Sequence, residues 1–67
     1  MDGNLPVGFL LSISQNEKAL KYFANLDNIS KNKISNYIRD SIDGNEAKER
    51  INISLNGLEN NNLNFLN

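Results

Sequence analysis

The chain has 67 residues, of which seven are basic and eight acidic, and it contains no cysteine and no histidine. A chain this short forms one domain at most and buries only about 60% of the surface that it exposes when unfolded, so its core is thin. The composition excludes disulfides, thiol nucleophiles and histidine-based general bases or metal sites, and a net charge of -1 disfavours nucleic acid as a partner. We therefore expect no enzymatic activity and no cofactor.

The first apolar segment, Leu5 to Ile13, fits two secondary structures. Every second residue from Val7 to Ile13 is apolar, as in a strand, whereas Pro6 suits the first turn of a helix. As a helix the segment is apolar on almost every side, which predicts burial by the other helices or by a second subunit. It is shorter than the roughly 20 residues of a membrane span, and Asp2 stands where a signal peptide carries positive charge. We therefore expect a cytoplasmic protein.

The clearest amphipathic stretch runs from Ala19 to Leu26. Asn16 is well placed as the N-cap of a helix that starts at Glu17, and Lys21 lies four residues after this glutamate as its pair. In one continuous helix with the preceding segment, the Asn16 amide would lie in the middle of the apolar arc, where an unpaired polar group is costly. The sequence therefore predicts a break at Asn16 and a helix to about Leu26.

A second amphipathic stretch runs from Ile34 to Ile42. Either Asp27 or Ser30 can cap this helix, and the Asp43-Gly44 pair ends it. Its predicted inner face comprises Ile34, Tyr37, Ile38, Ser41 and Ile42.

The pattern after Gly44 predicts a last helix, and a strand is the alternative for part of it. Asn45 can cap the helix, and Glu46 lies four residues before Arg50 as a favourable pair. Residues 51–55 also alternate like a strand and run into Asn56-Gly57, a hairpin signal, but no return strand follows. We therefore favour the helix, whose predicted inner face comprises Ala47, Ile51, Ser54, Leu55 and Leu58.

These elements predict an all-α fold, a small bundle of three to four short helices. Residues 1–58 form the single helical domain. Residues 59–67, rich in asparagine, are expected to be a disordered tail.

The sequence predicts a protein-interaction or small regulatory module. In the last helix Ile53 projects away from the inner face, so it is either covered by the N-terminal segment or by Phe65 and Leu66 of the tail, or it contacts a partner. The apolar N-terminal segment allows a homodimer. The alternative is a weak nucleic-acid binder that uses the basic side of the third helix, with Lys31, Lys33 and Arg39.

Several core positions also occur together in a known family. The matching residues are Tyr22-Phe23, Leu26, Tyr37-Ile38, Arg50-Ile51 and Leu55. In this pattern the stretch from Ala19 to Leu58 resembles the helical C-terminal region of the YdeI/OmpD-associated (bacteriocin-protection) family. This resemblance implies a compact helical module and points to Tyr37 and Arg50 as binding positions, which join Ile53 in the candidate site.

A second resemblance starts from the opening of the chain. Pro6-Val7-Gly8-Phe9 is followed by Asn16-Glu17-Lys18-Ala19 and then by Phe23. This opening is similar to short uncharacterised proteins of low-GC Gram-positive bacteria, which likewise implies a small helical module.

Overall fold

Four α-helices account for most of the part of the chain that the structure, a computed structural model, describes, namely residues 5–66. No strand occurs within this range, so the all-α fold class is confirmed. The helices are α1 (Val7–Ser14), α2 (Glu17–Ala24), α3 (Asn28–Arg39) and α4 (Gly44–Glu59), and a short 3-10 helix (Asn64–Leu66) follows them.

The ambiguous first segment is a helix with one buried and one exposed side. Phe9 and Ile13, four residues apart, are buried against the other helices. Val7, Leu10 and Leu11 on the other side are 71%, 43% and 61% exposed. The other helices therefore leave one side of α1 exposed. Of the two covers that the sequence predicts, the other helices or a second subunit, the first is incomplete. Within residues 5–66, none of the helices has the length and apolar character that crossing a bilayer demands.

The core forms where one face of each helix meets the others. Its centre is an edge-to-face pair between Phe9 of α1 and Phe23 of α2, with ring centroids 5.4 Å apart. The buried apolar residues are Phe9, Ile13, Ala19, Phe23, Ile34, Ile38, Ile51 and Leu58.

Three of the helices begin at a polar side chain that accepts a backbone N–H. The predicted break and cap at Asn16 are confirmed, because its side chain accepts the Ala19 N–H at 3.1 Å. Of the two caps considered for α3, Asp27 is the one observed, and it accepts the Ser30 N–H at 2.9 Å. Helix α1 begins after Pro6 without a side-chain cap.

The connection between α3 and α4 differs from the prediction in two respects. Helix α3 ends at Arg39, so Ile42 lies in the connection and is 86% exposed instead of belonging to the buried face. Asp43 does not end α3 but caps α4, since its side chain accepts the Glu46 N–H at 2.9 Å. Asn45 therefore lies inside α4, and its predicted role as the cap is wrong.

Residues 51–55 belong to α4, so the helix is confirmed over the alternative strand. Ile51, Ser54 and Leu58 are buried, while Ala47 and Leu55 are partly buried, as the predicted inner face requires. The buried Ser54 hydroxyl donates to the Arg50 carbonyl at 2.8 Å, so this polar group has a hydrogen-bond partner within the helix.

The chain reverses after α4 and returns along the bundle as a segment that we call the strap, residues 60–66. Asn61 has a φ of 52°, in the left-handed region. The Asn62 N–H bonds to the Gly57 carbonyl at 2.8 Å and the Asn61 N–H to the Leu58 carbonyl at 3.1 Å, the two bonds of a Schellman motif.

The structure ends α4 at Glu59 and packs the strap against the bundle, where the sequence predicts a disordered tail over residues 59–67. Leu63, Phe65 and Leu66 pack against the core, which a purely polar tail could not do. Asn67, the last residue of the predicted tail, lies outside the described residues.

Candidate functional site

Tyr37 and Arg50 lie 13 positions apart in the sequence and meet between α3 and α4. The Arg50 Nη1 donates to the Tyr37 carbonyl oxygen at 2.6 Å. The same guanidinium lies 4.7 Å from the centroid of the Tyr37 ring, a cation-π distance. The structure therefore brings two of the three predicted site residues together.

A third contact of Arg50 fixes its orientation along α4. Its Nη2 lies 3.7 Å from Glu46 Oε1, so the predicted pair of these residues is confirmed. The same carboxylate oxygen accepts the Ile42 N–H at 2.8 Å. Both charged side chains are about a third exposed, so this ion pair alone contributes little to stability.

Ile53 lies beside this pair on the surface of α4. It is 39% exposed, in line with the predicted outward position. It follows Arg50 by three residues and precedes Gly57 by four, and residues at these spacings are neighbours on one side of a helix. Arg50, Ile53 and Gly57 thus form one continuous strip of α4.

Two residues of this region, Gly57 and Phe65, are not among the predicted site residues. A Cβ placed on Gly57 would lie 2.6 Å from Phe65 Cε1 and 2.6 Å from the Asn62 carbonyl oxygen, so only glycine fits. The Phe65 ring also packs against the Tyr37 ring in a tilted arrangement, with centroids 5.4 Å apart. The signal for Gly57 was present, because a glycine inside a helix is destabilising and indicates close packing.

The basic residues of α3 do not gather on one side. Lys31 and Lys33 are two positions apart, which places them on nearly opposite sides of the helix. The Lys31 ammonium lies 5.6 Å from the centroid of the Phe23 ring. The pKa of Asp27 lies below its usual value, first because the Ser30 side chain and backbone hydrogen-bond to its carboxylate, with Lys33 adding a smaller effect through its charge.

The outer face of α1, formed by Val7, Leu10 and Leu11, is the most apolar exposed surface of a helix in residues 5–66. The three residues have the spacing i, i+3 and i+4, so they adjoin one another. No residue of Val7–Ser14 is charged.

An open groove lies where the start of α1 meets the end of α3 and the start of α4. Its floor includes Ile38 and Ile51, and its charged residues are Arg39, Asp43 and Lys48. Because the groove mixes charges of both signs, it does not concentrate an electrostatic potential of either sign.

Comparisons with protein-family models, with curated proteins and with solved structures find no match to this chain. The resemblance to the YdeI/OmpD-associated family stays a prediction.

Proposed function

We propose that the protein is a small cytoplasmic interaction module that binds a protein surface through the outer face of α1. The partner that we propose is a second copy of the chain. The observation that carries the proposal is the exposure of Val7, Leu10 and Leu11 on adjacent positions of one helix. Exposed apolar residues that adjoin one another are typical of contact surfaces, whereas isolated ones are common everywhere.

Self-association is supported by the chemistry of α1. In a two-fold pairing the same surface contacts itself, so any charge on it would face a like charge. Helix α1 has no charged residue, and the whole chain carries a net charge of only -1. The i, i+3, i+4 spacing also supplies the ridges that pack between two helices.

The test is sedimentation of the wild-type protein over a range of concentrations, together with Leu11→Lys. We expect the wild-type mass to rise toward that of a dimer and Leu11→Lys to stay monomeric, since pairing would bury the new charge. At low concentration the two should differ by no more than about 0.5 kcal/mol in unfolding free energy, because residue 11 is exposed in the monomer.

Ile42→Lys is the matched control, because it makes the same change at an exposed apolar residue outside α1. It should dimerise like the wild type. A wild-type protein that remains monomeric at every concentration contradicts the proposal, and so does an Ile42→Lys variant as monomeric as Leu11→Lys.

The contacts of the α3 cations give less support to the nucleic-acid alternative. Lys31 packs over the Phe23 ring. Lys31 and Lys33 lie on nearly opposite sides of α3, so the two cations do not form one basic face. A salt titration separates the two functions. Binding to DNA phosphates weakens linearly in the logarithm of salt concentration, whereas an apolar self-association hardly responds.

A further inference from the structure

The strap holds an aromatic ring in a socket of the bundle. Phe65 lies where a side chain of residue 57 would otherwise be, and its ring packs against the Tyr37 ring. Tyr37 is in turn held by the Arg50 guanidinium. We call the surface formed by Tyr37, Arg50, Ile53 and Gly57 the aromatic socket.

The strap beyond its first turn is held in the socket by apolar contact. The hydrogen bonds that the structure gives residues 63–66 are local: the Asn64 N–H donates to Asn62 Oδ1 at 2.9 Å and the Leu66 N–H to the Leu63 carbonyl at 3.0 Å. No residue of the 3-10 helix is fully buried. Segments that are held by apolar contacts of partly buried side chains and by local hydrogen bonds open more readily than core helices.

We propose that the aromatic socket is a binding site for a peptide segment of a partner protein that carries a phenylalanine, and that the strap occupies this site from within the chain. The strap itself shows the chemistry of the occupant. Gly57 leaves room for the edge of a ring, the Tyr37 ring lies 5.4 Å from it, and Ile53 adds an exposed apolar side chain on the same strip of α4.

The strap competes with any such partner because it is tethered. A short tether gives the attached segment an effective concentration in the millimolar range, so a partner peptide binds weakly until the strap leaves. Removing the ring of Phe65 while keeping the rest of the chain should therefore raise the affinity for an added peptide. This site is separate from the outer face of α1, so either proposal can fail without the other.

The probe is a fluorescein-labelled Leu-Asn-Phe-Leu-Asn peptide, titrated with full-length protein and followed by anisotropy. We expect Phe65→Ala to bind it at least tenfold more tightly than the wild type does. A peptide with alanine in place of phenylalanine should not bind.

The glycines of α4 provide the matched controls. Adding Gly57→Ala to Phe65→Ala should abolish binding, because the new methyl group takes the place of the ring and lies 2.6 Å from the Asn62 carbonyl oxygen of a bound strap backbone. Adding Gly44→Ala should leave binding unchanged, since a Cβ there meets no atom within 4 Å. Equal affinities of Phe65→Ala and the wild type would overturn the proposal, as would tight binding by the variant with Gly57→Ala.

A measurement on the wild-type protein does not depend on how the variants fold. Amide hydrogen exchange should show the Leu66 N–H exchanging much faster than the Leu58 N–H, because the strap opens without unfolding α4. If both amides exchange at the same rate, the strap is released only by global unfolding, and the proposal is wrong.

Discussion

Arg50 connects two helices through one side chain. Its bond to the Tyr37 carbonyl satisfies an acceptor in the last turn of α3, where carbonyls lack partners within the helix. The positive charge also lies at the negative end of the α3 dipole. A planar guanidinium can donate to this carbonyl and stack on the Tyr37 ring together, which an ammonium group cannot do equally well.

Replacement of Arg50 should therefore weaken the bundle even when the charge is kept. We expect Arg50→Ala to lower the unfolding free energy by about 1.5 to 3 kcal/mol, the usual range for a hydrogen bond to a charged group. Arg50→Lys should recover less than half of this loss. Urea unfolding measures both, with Arg39→Ala as the control at an exposed arginine of α3. An Arg50→Lys variant as stable as the wild type would show that charge alone matters.

At the scale of the elements, the boundary between α1 and α2 was predicted, whereas the boundary between α3 and α4 was not. Asn16 stood before a clear apolar arc, so its cap could be recognised from the sequence. An Asp-Gly pair can either end one helix or begin the next. Asp43-Gly44 was interpreted as the end of α3, whereas Asp43 caps α4. The end of α3 at Arg39 depends on where α4 packs, which no local pattern records.

Gly57 shows why the site was only partly predictable. Its sequence context, Asn56-Gly57, is typical of a hairpin turn. In the structure the glycine is required by the approach of Phe65, a residue eight positions later in a stretch whose composition indicated disorder. Tyr37 and Arg50 were identified only through the family resemblance, since nothing in their spacing indicates that they meet.

The cap of α3 should make stability depend on pH. Because the pKa of Asp27 is lowered in the folded state, its charged form stabilises the fold above the ordinary value of about 3.9. This stabilisation is lost as the pH falls from there through the lowered folded pKa.

Asp27→Asn isolates the charge, because asparagine caps a helix about as well but does not titrate. We expect the wild type to melt at a higher temperature than Asp27→Asn at pH 7 and the difference to shrink below about pH 4. Melting curves from pH 7 to pH 2 measure it. A difference that stays constant over this range would mean that the carboxylate charge contributes nothing.

At the scale of the whole molecule, the thin core depends on a few aromatic contacts. Phe9 is fully buried and packs edge-to-face on Phe23, which is 8% exposed. Domains of this size have unfolding free energies toward the lower end of about 5 to 15 kcal/mol. The loss of either ring therefore removes a large share of the total stability.

Phe23→Ala should cost about 3 to 5 kcal/mol and leave much of the protein unfolded near body temperature. Leu20→Ala is the matched control on the same helix, because Leu20 is 42% exposed, and it should cost less than half as much. Thermal unfolding followed by circular dichroism at the helix band compares the two. Similar melting temperatures for the two variants would show that Phe23 contributes no more to the stability of the core than the exposed Leu20 does.

The double role of Asn16 makes the first and last parts of the bundle depend on each other. Its Oδ1 caps α2, and its Nδ2 donates to the carboxylate of Glu59 at the end of α4. An aspartate could cap α2 but would repel Glu59, and a serine is too short to do both. When the last turn of α4 frays, the side chain that starts α2 loses its second partner. We therefore expect fraying at the end of α4 to weaken the start of α2, 43 positions away in the sequence.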